Sequence, residues 1–159
     1  MPQADGTVVI EGAQIIYRNF KGEKRQFNEE GKRNFCVILD EQTAAVMAAD
    51  GWKIRRRKPK DEDDEDTVYP PFLEVKINYN SWKPPHIEVV TSRGRHPLDE
   101  SQLEMLDWAD IINADMIIRP WQWGEREDGS PGITAYLQSM FVVIEEDPLE
   151  QKYAEIPHR

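Results

Sequence analysis

The sequence predicts a mostly-β fold: a small, partly open barrel that carries two short helices. Segments rich in β-branched and aromatic residues recur along the 159 residues, with turn signals at short intervals between them. Helix start and stop signals flank only two stretches. Neither an internal repeat nor a linker divides the chain, so we expect the elements to form one domain.

The first predicted strands lie before residue 40. The run "TVVIEGAQIIYRNF" (7–20) predicts a long strand with a bend or bulge at Gly12. The turn-rich segment "KGEKRQFNEEG" (21–31) predicts an exposed hairpin connection. "KRNFCVIL" (32–39) predicts the strand that returns from it.

The first predicted helix is "DEQTAAVMAADG" (40–51). Asp40 suits its N-cap, and Gly51 suits the position that ends it. A strand is predicted over 52–58. Another is predicted over 72–80, where polar and apolar residues alternate.

The second half adds three predicted strands, over 86–92, 114–123 and 132–146. The second helix is predicted within "LDESQLEMLDWADI", where Asp99 and Gln102 have the spacing of a capping box. A mostly-β order with isolated helices is close to the oligonucleotide-binding fold.

This domain is predicted to span residues 1–146, with an acidic mobile loop at 59–67. Residues 147–159 are predicted to form a loosely ordered polar tail.

Apolar and aromatic residues are assigned to the predicted core. The single cysteine, Cys36, lies in the apolar run "NFCVIL" and is predicted to be a buried residue rather than a nucleophile. The aromatic residues predicted to be core are Tyr17, Phe35, Trp52 and Phe141, with Trp108 packing the second helix against the barrel.

The charges are divided unevenly along the chain. The formal net charge is −10, yet residues 1–60 carry +4 and residues 61–159 carry −14. Such asymmetry is typical of a protein with a side that faces a polyanion. In the stretch 53–66, six basic side chains precede six consecutive acids. We hypothesise that the acids cover the basic block until phosphates displace them; the alternative is a solvated spacer.

Other classes of protein find little support in the sequence. No apolar run approaches the roughly 18 residues of a membrane span, and the N-terminus lacks a secretory pattern, so we expect a cytoplasmic protein. Three scattered histidines and one cysteine predict no metal site, and no cofactor is expected. Neither a nucleophile elbow nor a phosphate-binding loop is present, so no enzymatic activity is expected.

Basic residues stand beside aromatic residues in the predicted strands and hairpins. This mixture is typical of single-strand binders, since cations follow the phosphates while ring faces stack on unpaired bases of any sequence. The candidate DNA-binding residues are Arg18, Lys21, Lys24, Arg25, Lys32, Arg33, Lys53, Arg55, Arg56, Arg57, Lys76, Lys83 and Arg119 for phosphates, and Tyr79, Trp82, Trp121 and Trp123 for bases.

Several segments resemble a known family. They include "IEGAQIIYRNFKG", "FNEEGKRNFCVILD", "PPHIEVVTSRGRHPLDE", "LDWADI", "IIRPWQW" and "GITAYLQSMFVVIEEDPLEQKYA", and they lie between Ile10 and Ala154. The chain is similar there to bacteriophage-encoded single-stranded DNA-binding proteins. The resemblance implies an oligonucleotide-binding fold. It also implies a protein that coats single-stranded DNA during phage replication or recombination, in the cytoplasm of the infected host.

Two alternatives stay open at this point. One is a protein–protein interaction module that engages phage or host replication or recombination proteins through its acidic face, and the polar tail is a second candidate for such docking. The other is a small nuclease or nucleotide-processing protein that uses the acidic run with Mg²⁺. No membrane partner is expected, and the sequence leaves a homo-oligomer open.

Overall fold

The structure is a computed structural model of the chain and describes residues 6–57, 68–125, 127, 129 and 131–146. The predicted acidic loop at 59–67 and the predicted tail at 147–159 lie outside the described residues. Their prediction, like the domain boundary at 146, stays a prediction.

Strands dominate the described residues, as the sequence predicts. The two helices are α1 (Glu41–Asp50) and a 3₁₀ helix (Glu100–Asp107). The strands are β1 (Val8–Ile10), β2 (Gln14–Asn19), β3 (Arg33–Ile38), β4 (Ile54–Arg56), β5 (Pro71–Ile77), β6 (His86–Thr91), β7 (Gly94–Leu98), β8 (Ile111–Glu125) and β9 (Pro131–Ile144).

All these strands share one sheet with the order β1-β8-β9-β5-β3-β2. β4 joins β5, while β6 joins β9 and also carries β7. The long β9 pairs antiparallel with β8 and parallel with both β5 and β6. The two end strands of the order do not pair, so the predicted partly open, mostly-β architecture is confirmed.

The predicted bend at Gly12 separates β1 from β2. Gly12 has a left-handed φ of 62°, which glycine adopts without a steric cost. The bend carries the chain from one end of the sheet to the other, since β1 pairs with β8 and β2 pairs with β3.

Both helices begin where the sequence predicts. Asp40 Oδ1 accepts a hydrogen bond from Thr43 N at 2.7 Å, and Gly51 ends α1 with a left-handed φ of 105°. Asp99 and Gln102 form the predicted capping box. The second helix is 3₁₀ rather than α.

The core lies on the inner side of the sheet. In β5, Leu73, Val75 and Ile77 are buried, as the alternation predicts. Phe35 and Trp52 are core residues, as predicted, and Cys36 is buried. Desolvation raises the pKa of the Cys36 thiol to about 12, which favours the unreactive thiol over the thiolate.

Two aromatic core predictions are wrong. Tyr17 is 56% exposed because the β2 backbone bulges there, and its φ is +50°. Trp108 is 74% exposed because it is the C-cap of the 3₁₀ helix and lies beyond the buried Leu103 and Leu106. Phe141 is only partly buried, with the Arg95 guanidinium 5.1 Å from its ring centroid.

β7 is a strand that the sequence analysis does not predict. It pairs along its full length with β6, yet four of its five residues are exposed.

Among the described residues, no helix is long and apolar enough to span a membrane.

Candidate nucleic-acid interface

The outer face of the sheet carries polar, basic and aromatic side chains in rows across the strands. One row joins Asn34 on β3, Lys76 on β5, Tyr136 on β9 and Arg119 on β8, each paired in register with the next. Lys76 points outward because its neighbours in β5, Val75 and Ile77, are buried. The sheet register thus brings together residues that lie far apart in the sequence.

A groove of about 1000 Å³ lies over this face. Its floor is formed by Asn34, Arg55, Glu74, Lys76 and Tyr136. The loop segments 27–32 and 78–80 line its sides together with Arg33 and Glu100. We call this feature the groove.

One side of the groove is held in shape by two asparagines. Asn19 is buried and bonds both the N–H and the C=O of Glu23 through its side chain, at 2.8 and 3.0 Å. Asn28 Nδ2 lies 2.9 to 3.1 Å from the carbonyls of Glu23, Glu29 and Lys32. These bonds order the connection between β2 and β3 before any ligand arrives.

Several predicted DNA-binding residues line the groove: Lys32, Arg33, Arg55, Lys76 and Tyr79. Arg119 and Trp121 extend the same face along β8, where Arg119 Nη2 donates to Ser81 Oγ at 3.3 Å. Trp82 and Lys83 follow the side segment 78–80 and are exposed, Trp82 by 90%.

The predicted DNA-binding cations differ in whether their side chains already form hydrogen bonds or salt bridges within the protein. Lys24, Lys32, Lys53, Arg55, Lys76 and Lys83 have side chains without a hydrogen bond or salt bridge to another described residue.

Other predicted cations already contact protein groups. Arg56 forms a bidentate pair with Glu41, both distances being 2.7 Å, and Arg57 lies 4.6 Å from the Tyr69 ring centroid. Lys21 and Arg33 pair with the carboxylates of the 3₁₀ helix, and Arg25 with Glu23. The Lys21–Glu104 and Arg25–Glu23 pairs lie on the surface at 3.6 and 3.9 Å and are weak, so phosphates can compete for these two cations.

Arg18 has a different environment from the other cations. Its Nη1 donates to the carbonyls of Leu106 and Ala109 at 3.3 and 2.6 Å, which binds the end of the 3₁₀ helix to β2. Asp107 adds to this junction by accepting from the backbone N–H groups of Phe20 and Lys21. Arg18 thus holds the helix against the strand beside the groove.

Three buried polar side-chain atoms lack a hydrogen-bond partner among the described residues, and all belong to predicted DNA-binding residues. They are Arg33 Nε, Tyr79 Oη and Arg119 Nη1. Desolvation, followed by the charge of Glu100, raises the pKa of Tyr79 above its ordinary value, so its hydroxyl keeps its proton and remains a donor.

The three tryptophans predicted to contact bases, Trp82, Trp121 and Trp123, are all exposed. Trp121 and Trp123 lie on the outer part of the β8–β9 hairpin and are 60% and 55% exposed. The Trp123 indole covers Gly132, since a Cβ built there would come within 2.5 Å of the ring. Only glycine at 132 leaves room for this ring position.

Several aromatic residues near the groove are not among the predicted DNA-binding residues. Phe27 is 94% exposed on one side of the groove, and Tyr136 forms part of its floor. Tyr17 and Phe72 meet edge to face, with 5.6 Å between ring centroids, on the same side of β5 as Glu74. Phe27 could have been predicted as an exposed contact, because it is an isolated aromatic residue among polar and charged neighbours. Tyr136 could not have been predicted, because only the strand register places it on the groove floor.

Among residues 6–57, 68–125, 127, 129 and 131–146, no cluster of three His, Cys, Asp or Glu side chains could hold a metal ion.

Comparison with known proteins connects the chain to a family. The family model described as "Putative phage ssDNA-binding domain" matches residues 3–159. No curated protein sequence is significantly similar to the chain.

The fold is also similar to solved structures of the single-stranded DNA-binding protein from bacteriophage Enc34. The structure of that protein in complex with ssDNA has a TM-score of 0.55 and 13% identity, covering 91% of this chain and 90% of that one. Its C-terminal truncation has a TM-score of 0.54 and 12% identity, again covering 91% and 90%. At such identities the likeness shows the fold alone. The family model spans almost the whole sequence, and on that ground the chain belongs to the family of phage single-stranded DNA-binding domains.

Proposed function

We propose that this chain coats single-stranded DNA with little sequence preference, in the replication or recombination of phage DNA. The observation that carries the proposal is the groove, where aromatic rings and cations with no ion pair among the described residues share one open face of the sheet. The membership of the chain in a family of phage ssDNA-binding domains supports it.

The arrangement suits a single strand better than a duplex. Unpaired bases expose their ring faces and can stack on Tyr136, Phe27 or the Tyr17–Phe72 pair, whereas paired bases are already stacked. Phosphates can then follow Lys32, Arg55 and Lys76, which have no charge partner among the described residues.

The finer parts of the proposal concern which residues bind and where the protein works. The predicted DNA-binding residues that line the groove are proposed as its main contacts, with Trp82, Trp121 and Trp123 extending the track. The protein is proposed to act without an enzymatic reaction, in the cytoplasm of an infected bacterium.

Equilibrium binding of a fluorescent 30-nucleotide oligo-dT tests the proposal. The double variant Lys32→Ala/Lys76→Ala removes two unpaired groove cations, and we expect it to weaken binding by about tenfold or more near 0.1 M salt. Arg93→Ala is the control for the single variants Lys32→Ala and Lys76→Ala, because each removes one positive charge and Arg93 is exposed at the β6–β7 turn, outside the groove. A loss in Arg93→Ala equal to the loss in each single variant would mean that general charge, and not the groove, binds DNA.

A further inference from the structure

The groove floor carries one carboxylate among its cations and rings. Glu74 lies on β5 between Phe72 and Lys76 on the outward side, and it pairs in register with Cys36. Arg55 also lines the floor. A carboxylate at this position repels phosphates, so it requires an explanation in a surface that binds DNA.

Glu74 has no partner in the part of the chain that the structure describes. No Lys, Arg or His nitrogen of that part lies within 4.0 Å of its carboxylate, and no hydrogen-bond donor reaches it. Two carboxylates of the 3₁₀ helix do pair with cations, Glu100 with Arg33 and Glu104 with Lys21. Glu29 and Glu30 line the side of the groove without an ion pair among the described residues, but they are on the loop and not on the floor. Glu74 is half-buried, lines the groove and lies on the outward side of β5.

The distribution of charge orients a bound strand. Phosphates are attracted to the cations and repelled by Glu74, so the groups that can approach Glu74 are the bases. A carboxylate is an acceptor only, and its two oxygens match two adjacent donors. The Watson–Crick edge of an unpaired base supplies such donors in a pattern that depends on the base.

Guanine alone among the four bases presents two adjacent donors on that edge, N1–H and the 2-amino group. Cytosine and adenine present one amino group beside an acceptor nitrogen, and thymine presents N3–H between two carbonyl oxygens. We propose that Glu74 is a base-reading residue that favours guanine within an otherwise sequence-tolerant track. This inference rests on the proposed function, because it assigns a preference to the same groove.

Equilibrium binding of four 30-nucleotide strands tests this inference. One is oligo-dT, and the other three alternate thymine with guanine, with inosine or with cytosine, in lithium buffer that disfavours guanine quadruplexes. Inosine keeps the fused ring of guanine and lacks only the 2-amino group, so stacking is nearly matched. We expect the guanine strand to bind wild-type protein about tenfold more tightly than the inosine strand, because inosine keeps the N1–H donor and loses one hydrogen bond to a charged acceptor.

The variant Glu74→Gln should reduce this ratio to about twofold or less, because the amide replaces one acceptor oxygen with a donor. Glu30→Gln is the matched control, since Glu30 is exposed on the side of the same groove and loses the same charge. The control should keep the full ratio.

The outcomes separate the two claims. Equal binding of the guanine and inosine strands by wild-type protein, or a ratio that survives Glu74→Gln, would overturn the base-reading role while single-strand binding stands. The wild-type comparison depends on no variant folding correctly. Failure of the wild-type protein to bind any of the four strands would instead refute the proposed function, and the base-reading role with it.

Discussion

Tyr17 adopts a backbone conformation that a non-glycine residue rarely takes. Its φ of +50° lies at the bulge between Ile16 and Asn19, where the ring turns outward to meet Phe72. Such conformations cost about 1–3 kcal/mol and cluster at binding sites, so an exposed ring held in this way is a candidate base platform.

Replacing Tyr17 by glycine should weaken DNA binding without weakening the fold. Glycine relieves the backbone strain while the ring is lost, and a stacked base contributes about 1–3 kcal/mol, so the Kd should rise roughly 5- to 100-fold. Oligo-dT titration and thermal unfolding measure the two effects. Tyr17→Phe keeps the ring and should bind like wild type. A loss of affinity in Tyr17→Phe as large as that in Tyr17→Gly would contradict a stacking role.

Glu88 should make the stability of the chain sensitive to acid. It is 4% exposed, accepts two hydrogen bonds from Arg95 at 2.8 Å and contacts His86. The hydrogen bonds from Arg95, and then from His86, lower the pKa of Glu88 from 4.5 to about 2. Because its pKa is lowered in the fold, the ionised Glu88 carboxylate stabilises the fold fully above pH 4.5. This stabilisation is lost as the pH falls from 4.5 to about 2.

The unfolding midpoint of Glu88→Gln measures this contribution. Its deficit relative to wild type should be large at neutral pH and should shrink between pH 4.5 and about 2, as the wild-type carboxylate takes up its proton. Glu104→Gln is the control, because its pair with Lys21 lies on the surface and should give a small deficit at all pH values. A Glu88→Gln deficit independent of pH would refute the ion-pair account.

At the scale of elements, the 3₁₀ helix is joined to β2 through Arg18. Arg18→Met should lower the free energy of unfolding by about 1–3 kcal/mol, since the carbonyls of Leu106 and Ala109 lose their donor. It should leave the salt dependence of DNA binding unchanged. Lys32→Met should have the opposite pattern, with normal stability and a salt slope reduced by about 0.7, the value for one phosphate contact on a single strand. Similar salt slopes in the two variants would contradict this division of roles.

Elements with local signals could be predicted from the sequence, and elements that depend on distant pairing could not. The Asp40 cap, the Asp99–Gln102 capping box and the bend at Gly12 are each set by neighbouring residues. β7 was missed because it is mostly exposed and contains Gly94 and Pro97, so only its pairing with β6 makes it a strand. The outward position of Tyr17 depends on a bulge that periodicity does not reveal.

At the scale of the whole molecule, the groove exists because β5 pairs with both β3 and β9. These pairings align Asn34, Lys76 and Tyr136, which are separated along the chain. The mixture of basic and aromatic residues pointed to Lys32, Arg55 and Lys76 as candidate DNA contacts, and the structure places all three along the groove. The same mixture could not predict Tyr136 or Glu74, because their place on the floor follows from non-local register.

The charge of the whole chain should also affect binding through the acidic run at 61–66. Deleting these six residues removes six negative charges next to the basic stretch that includes Arg55 and Arg57. We expect tighter binding of oligo-dT at moderate salt, with the gain shrinking as salt rises because screening weakens the repulsion. Replacing 61–66 by a Gly/Ser linker of equal length should reproduce the gain. Unchanged affinity in both proteins would leave the run as a solvated spacer.

The central claim is that the outer face of the sheet binds unpaired DNA by phosphate contact together with base stacking. Titrating the intrinsic tryptophan fluorescence with oligo-dT of 30 nucleotides tests it most directly, since Trp82, Trp121 and Trp123 are all exposed on the proposed track. The account predicts quenching by the single strand that weakens as salt rises, and little quenching by a duplex of equal length. Equal binding of duplex and single strand, or no binding of oligo-dT even at low salt, would contradict it.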